Sequence, residues 1–388
     1  MAPIPFLVSH LGVFLPLVLL AFAGTTVGLP AEAPRSGLSA LAQDGEVLLL
    51  PKHGRSSFSG HIVSQTAESC EAVEEQMFDL PSYSKRFASV GAVKILSRSE
   101  RKIAYEFQLK VAFAPSVRGS VEKLRPGKLR FTDGETPAYS EMDLQPDGTG
   151  GCLLVYQSVE APGQSSGWVK IIKGLEATSG DAGNFAVALI TSRGFSQKRR
   201  PFGTAADAEA AFSALAGHGT AVKIDRRGKI PVYTLRRRVT APPGDIIRVL
   251  RDRAGYDARS VVVKKSKVED ATSAYSIGGF GGRVDFTTRF RQEGSPAQEW
   301  TAHESVTGGD LRAGVGGWTW RVRAMDGGSD VELVWALDPV PGSMILSTMS
   351  RTDPICQESF VLYVALSLMG DLVDGQPLGA RSALTAER

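Results

Sequence analysis

The chain carries the same order of sequence patterns twice, with about 175 residues between corresponding positions. Self-similarity at one fixed spacing is the signature of a duplicated structural unit. The fold must therefore be one that each half of the chain can form. The landmarks that recur are Phe58 and Tyr233 in the first strand patterns, Asp79 and Asp252 at the ends of the first helix patterns, Asp147 and Asp326 before a late strand, and Phe185 and Phe360 in the last helix patterns.

The first unit is predicted over residues 56–195. Residues 101–113 (RKIAYEFQLKVAF) alternate with a period of two, which is typical of a strand with one apolar face. Residues 67–80 place apolar side chains at helical spacing before Pro81, and a last helix, which Asp181 could cap, reaches Phe195. The predicted order is a strand, a helix, a run of strands and a final helix.

The second unit is predicted over residues 231–375 in the same order. Its last helix begins with Asp353 as N-cap and Pro354 at the first helical position. That helix is apolar around most of its circumference, so we expect it to be buried. The glycine-rich GGFGGR at 278–283 lies between strand patterns and favours a bulge or tight hairpin.

The segments outside the two units predict export. Residues 1–23 contain no Asp, Glu, Lys or Arg and end in Ala21-Phe22-Ala23, which is typical of a cleaved secretory signal peptide. An uncleaved membrane anchor is the alternative. A periplasmic or secreted location is predicted. The other segments are expected to be a flexible N-terminal segment (24–55), a linker with a short helix (196–230) and a C-terminal tail (376–388).

Charge and cysteine content exclude several classes. Forty-four basic and 41 acidic residues leave a net charge of +3, which argues against a nucleic-acid-binding protein. Three cysteines cannot form a full disulfide framework, and no zinc-binding pattern is present. Pairing of Cys70 with Cys152 is left open, with buried reduced cysteines favoured. Arg236 and Arg238 share one strand face near a basic linker; a solvated face is favoured, and peripheral contact with an anionic membrane is the alternative.

Two stretches carry a resemblance to a known superfamily. MFDLPSYSKRFASVGAVKIL and, more weakly, VLRDRAGYDARSVVV contain an apolar-Asp-x-x-x-Tyr pattern followed by a strand, and DGTGGCLLVY precedes the last helix of the first unit. The chain thereby resembles the helix-grip superfamily of START lipid-transfer domains, polyketide cyclases and aromatases, and coenzyme-Q-binding proteins. The resemblance implies an α+β fold of two tandem units, each a curved antiparallel sheet around a long C-terminal helix with a cavity between them.

Such a cavity would be lined by large apolar side chains from the strands and the last helix of each unit. For each side chain, an ordinary core position is the competing interpretation. The expected ligand-binding residues are Tyr105, Phe107, Leu109, Phe113, Met142, Phe185 and Leu189 in the first unit, and Phe286, Trp300, Trp318, Trp320, Phe360 and Tyr363 in the second.

Nothing in the sequence forms a catalytic, metal or cofactor motif, and no cofactor is expected. His303 and Glu304 are adjacent on a strand and face opposite sides, whereas Glu304 shares its face with Trp300. The predicted function is therefore an exported binding or carrier protein for a hydrophobic small molecule such as a lipid, an isoprenoid or a polyketide-like compound. The alternatives are a cyclase- or aromatase-like enzyme that uses the same cavity, which is disfavoured, and a packed interaction module that binds no ligand.

Overall fold

A computed structural model describes residues 35–51, 60–87, 90–110, 116–133, 139–159, 189, 191–196, 198, 203–279, 282–338 and 354–373. Residues 191–195 are helical. The other helices are α1 (Arg35–Leu41), α2 (Cys70–Phe78), α3 (Tyr83–Arg86), α4 (Ala205–His218), α5 (Pro243–Arg251), α6 (Tyr256–Arg259) and α7 (Pro354–Val373). The strands are β1 (Val47–Pro51), β2 (His61–Thr66), β3 (Val90–Arg98), β4 (Lys102–Leu109), β5 (Val117–Arg125), β6 (Lys128–Asp133), β7 (Tyr139–Pro146), β8 (Cys152–Val159), β9 (Gly219–Asp225), β10 (Val232–Val239), β11 (Val263–Glu269), β12 (Thr272–Gly279), β13 (Gly282–Gly294), β14 (Glu299–Gly309), β15 (Gly317–Met325) and β16 (Gly328–Ala336).

The strands form one antiparallel sheet of 16 strands that reads as two copies of the same order. One half runs β2-β8-β7-β6-β5-β4-β3, and the other runs β10-β16-β15-β14-β13-β12-β11. In each half, the first strand in the sequence pairs with the last strand of the same half. The predicted α+β class and the tandem duplication are confirmed.

Strands β1 and β9 join the two halves at the centre of the sheet. They pair antiparallel, with Leu48 opposite Val222, and each also pairs with the first strand of its own half. Helices α1 and α4 precede these strands and pack with them in a separate apolar cluster that includes Leu41 and Phe212. The duplicated unit therefore begins with a helix and a strand that the predicted units do not include.

Residues 35–51 differ from the predicted flexible segment. The apolar run Val47–Leu49 is buried to 2% exposure or less, because β1 lies between two neighbouring strands. Within the predicted linker, α4 is the expected short helix, and its capping box joins Thr204 and Asp207. The exact limits of the domains, and residues 1–34 and 374–388, remain predictions.

The Asp-x-x-x-Tyr pattern forms the same turn in both units. Asp79 and Asp252 end α2 and α5 with nearly equal backbone angles, and a 3-10 turn follows each of them. The Tyr83 hydroxyl donates to the Met77 carbonyl at 2.7 Å, and the Tyr256 hydroxyl donates to the Leu250 carbonyl at the same distance. The repeated tyrosine thus closes a buried turn.

The two late hairpins also correspond. The Asp147 carboxylate accepts from the amides of Thr149 (2.8 Å) and Gly151 (3.0 Å), and Gly148 has a φ of +84° that suits glycine. In the second unit the turn precedes β16, and Gly327 has a φ of +78°. At the described ends of the glycine-rich stretch, Gly279 of β12 pairs with Gly282 of β13, in agreement with the predicted hairpin.

A disulfide joins Cys70 of α2 to Cys152 of β8. The alternative favoured from the sequence, two reduced cysteines, is therefore wrong for this pair. Cys70 is the first residue of α2 and Cys152 is the first residue of β8, and the fold brings these two element ends together. Sequence spacing alone could not show this, because 82 residues separate the two cysteines.

Helix α7 lies buried against the second half of the sheet, as the sequence predicts, and begins at Pro354. Described side chains from Ser359 to Val373 are all buried. Hydrogen bonds near its two ends hold it: the Tyr233 hydroxyl donates to the Glu358 carbonyl (3.1 Å), and the Asp371 carboxylate accepts from the Val261 amide (3.0 Å). The predicted N-cap Asp353 lies outside the described residues.

Candidate functional site

The second unit contains a cavity between the sheet and α7. Strand residues such as Val284 and Phe286 form one wall, and α7 forms the other. All of the lining side chains are apolar: Ile277, Val284, Phe286, Leu311, Trp335, Leu337, Phe360, Val361 and Val364. An apolar pocket at this place is what the resemblance implies.

The cavity is narrow in this conformation. Its empty space is about 270 Å³, mouth included, but only about 20 Å³ is wide enough for the centre of a water-sized molecule. The latter volume corresponds to about one water molecule. A lipid-sized ligand therefore requires α7 or the loops beside it to move outward.

The predicted ligand-binding residues of the second unit have different positions. Phe286 and Phe360 line the cavity. Trp318 lies behind the cavity wall: its ring stacks on that of the lining residue Trp335, with centroids 4.9 Å apart. The remaining predicted residues are buried in the same core: Trp300, Trp320 and Tyr363. Binding of a ligand by these side chains stays a prediction.

Seven of the nine cavity residues were missed from the sequence: Ile277, Val284, Leu311, Trp335, Leu337, Val361 and Val364. Leu311 and Leu337 lie just beyond strand ends, where no periodicity predicts burial. Trp335 corresponds to Tyr156 of the first unit and was not predicted as a lining residue. The repeat itself was the available signal, since both rings lie on the last strand of their unit.

In the first unit the described part of the predicted site is packed. Met142 and Leu189 are fully buried, and the rings of Tyr105 and Phe107 stack at 5.3 Å. Gly119 lies opposite Tyr105, and a Cβ at Gly119 would approach the Tyr105 hydroxyl oxygen to 2.9 Å. Glycine is thus needed beside that ring. Leu109 lies in β4 with its side chain outside the described residues, as are Phe113 and Phe185.

A buried acid lies beside the aromatic core of the second unit. Glu304 of β14 is 3% exposed. Its Oε1 accepts from the Tyr275 hydroxyl at 3.0 Å, and its Oε2 accepts from the Thr288 hydroxyl at 2.6 Å. Burial raises the pKa of Glu304 to about 7, against the hydrogen bonds from Thr288 and Tyr275 and the positive charge of Arg253. The carboxyl can therefore gain or lose a proton near neutral pH.

Glu304 lies one layer behind the cavity wall. It is directly opposite Trp318 across β14 and β15, and Tyr275 is directly opposite Phe286 across β12 and β13. The Tyr275 and Phe286 ring centroids are 5.9 Å apart. The strand alternation that placed Glu304 on the face of Trp300 predicted this orientation, whereas its hydroxyl partners depend on pairing between distant strands.

His303 points to the other face, as predicted, where its Nδ1 lies 3.0 Å from the Thr319 hydroxyl. Among the described residues, no group of three or more His, Cys, Asp or Glu side chains is placed to hold a metal ion. In the same part of the chain, no helix has the length and apolar character needed to cross a bilayer.

Comparison with solved structures returns START-like and ARO/CYC proteins. The di-domain ARO/CYC StfQ from the steffimycin biosynthetic pathway is 10% identical, with 79% of this chain and 98% of that chain covered and a TM-score of 0.23. A STAR-related lipid transfer protein fragment from Xanthomonas axonopodis is 16% identical (38% and 91% covered, TM-score 0.27). Human StAR-related lipid transfer protein 5 is 10% identical (39% and 84% covered, TM-score 0.29).

These are the kinds of protein that the sequence resembles. A scan against protein-family models and a search of curated proteins give no match. At these TM-scores we draw no argument about ligand or activity from the solved structures, and we base the function on contacts within this chain.

Proposed function

We propose that the chain is an exported binding protein for a hydrophobic small molecule, which it holds between the sheet and α7 of the second unit. The observation that carries this proposal is the wholly apolar lining of the cavity at that position. Transfer of apolar ligand surface from water into such a site contributes about 25 cal/mol per Å². A lipid, isoprenoid or polyketide-like compound has this chemistry.

Two features support export. Residues 1–23 have the composition of a signal peptide. The Cys70–Cys152 disulfide belongs to the class of bond that persists mainly in oxidising compartments outside the cytoplasm. An apolar compound crosses water slowly without a protein to shield it, so a carrier fits such a compartment.

The full chain tests both parts of the proposal. We expect the protein in the periplasmic fraction or the medium of the expressing cells, and an apolar compound in its solvent extract by mass spectrometry after detergent-free purification. The fluorescent probe N-phenyl-1-naphthylamine should bind with a 1:1 stoichiometry. Val364→Trp, which fills the cavity, should weaken probe binding about tenfold or more, since it removes most of the buried contact.

Leu96→Trp is the matched control, because Leu96 is 44% exposed on β3 and far from the cavity residues in sequence. It should leave probe binding unchanged. Equal probe binding by both variants, with no extracted compound, would leave the packed interaction module as the better interpretation.

Buried Glu304 favours an enzyme as the second candidate. A carboxyl whose pKa is near 7 is suited to proton transfer, and a cyclase needs such groups inside its pocket. Turnover of an enolisable polyketide-like substrate by the wild type, lost in Glu304→Gln, would support the enzyme over the carrier.

A further inference from the structure

The carboxyl of Glu304 has unused hydrogen-bonding capacity in an apolar environment. Each of its oxygens accepts one hydrogen bond in the part of the chain that the structure describes. A carboxylate offers about four acceptor positions. A buried acid with half of its capacity unfilled is costly unless a further partner is present.

Glu304 has no ion-pair partner among the described residues. The Arg253 guanidinium lies on the Phe290 ring at 4.1 Å, and Phe290 is directly opposite Glu304. Arg253 instead donates to the Ser273 hydroxyl (2.5 Å) and the Asp270 carbonyl (3.0 Å). Its charge acts on Glu304 from a distance, so Arg253 occupies no hydrogen-bonding position of the carboxylate.

The two hydroxyl partners hold Glu304 beside the cavity wall. Burial raises the pKa of Tyr275, so its hydroxyl stays protonated and remains a donor to Glu304. Tyr275 is opposite Phe286, and Ile277 follows it on the same strand face; both neighbours line the cavity. The Tyr275 ring packs against Phe286, and the Trp318 ring packs against Phe286 and Trp335, so a compound in the cavity reaches the carboxyl only by displacing these rings.

We propose that Glu304, positioned by Tyr275 and Thr288, is the polar anchor of the second unit's cavity, and that the hydrophobic compound bound there carries a hydroxyl group. A hydroxyl group can donate to the ionised carboxylate and accept from the protonated acid, so it matches both forms. A hydrocarbon without a polar group would leave the remaining acceptor positions of the acid unfilled. This inference rests on the proposed function and narrows its ligand class.

Two small probes of similar shape test the inference on the full chain by titration calorimetry: 2-naphthol, which has a hydroxyl group, and 2-methylnaphthalene, which has none. The wild type should bind 2-naphthol about tenfold tighter or more, because a hydrogen bond to a charged acceptor is among the stronger ones. Glu304→Met should bind the two probes equally, because it removes the carboxyl that favours the hydroxyl group. Glu304→Gln, which keeps one acceptor and the side-chain shape, should show a reduced preference.

Tyr275→Phe removes one of the two hydroxyl donors that hold the Glu304 carboxyl. It should retain the preference for 2-naphthol, because the carboxyl remains and loses only one donor. A preference that survives in Glu304→Gln at full strength, or disappears in Tyr275→Phe, would overturn the inference, and Glu304→Gln gives this answer even if Glu304→Met does not fold. Equal affinity of the wild type for both probes also overturns it but leaves the proposed function standing, whereas absence of binding by either probe contradicts the proposed function itself.

Discussion

At the scale of single residues, two buried groups give stability opposite dependences on pH. The pKa of Glu304 is about 7 in the fold against 4.5 for a free side chain, so between these values the folded state binds a proton that the unfolded state has lost. Stability therefore falls as pH rises from 4.5 to 7. Burial lowers the pKa of His61 from 6.5 to about 4, against a hydrogen bond with Gln157 that raises it, so stability rises with pH between 4 and 6.5.

Glu304→Gln isolates the first effect. The free energy of unfolding of Glu304→Gln minus that of the wild type should increase with pH by up to about 1.4 kcal/mol per unit between pH 4.5 and 7, and then stay constant. Urea unfolding at half-unit pH steps measures it, with His61→Gln as the reference whose difference curve has the opposite slope. A flat difference curve for Glu304→Gln would mean that the carboxyl stays ionised in the fold.

At the scale of elements, the Cys70–Cys152 disulfide ties α2 to β8 and closes a loop that contains most of the first unit. A cross-link over 82 residues restricts the unfolded chain, which stabilises the folded state by about 2 to 5 kcal/mol. Cys70→Ala/Cys152→Ala should lose this much in urea unfolding. Reductant should destabilise the wild type equally and leave the double variant unchanged; an effect of reductant on the double variant would assign the stabilisation elsewhere.

The elements also show what the sequence could predict. Strand alternation identified β4 and the face of Glu304, and helical spacing with Pro354 identified α7, because these signals are local. The pairing of β1 with β9 could not be predicted, since Leu48 and Val222 meet only through contacts between distant parts of the chain. The composition of residues 24–55 suggested flexibility, but four consecutive apolar residues, 47–50, fill an interior strand. The narrowness of the cavity depends on how the side chains pack, and the periodicity of the sequence carries no information about that packing.

At the scale of the whole molecule, a buried ion network joins the two units beside the β1–β9 pair. Glu46, which precedes β1, is fully buried and forms ion pairs with Arg226 and with Arg193 at 3.7 Å. Both arginines also contact Glu358 of α7, Arg226 at 2.8 Å and Arg193 at 3.3 Å. The network therefore links residues 191–195 of the first unit to the helix that covers the cavity of the second, so the position of α7 depends on both units.

This network should make the two units unfold together. Four of the five tryptophans, at positions 300, 318, 320 and 335, lie in the second unit, so tryptophan fluorescence reports mainly that unit while far-UV circular dichroism reports both. In the wild type the two signals should change in one coincident transition. Glu46→Gln removes the buried carboxylate and leaves the half-buried Arg226 and Arg193 with only Glu358 of this network, so it should cost about 1.5 to 3 kcal/mol and separate the two transitions. Glu122→Gln, whose partner Lys102 is exposed and 3.9 Å away, should change stability by less than about 1 kcal/mol. If Glu46→Gln behaves like Glu122→Gln, the units are held together by the paired strands and the shared apolar core, and the charges at their junction are dispensable.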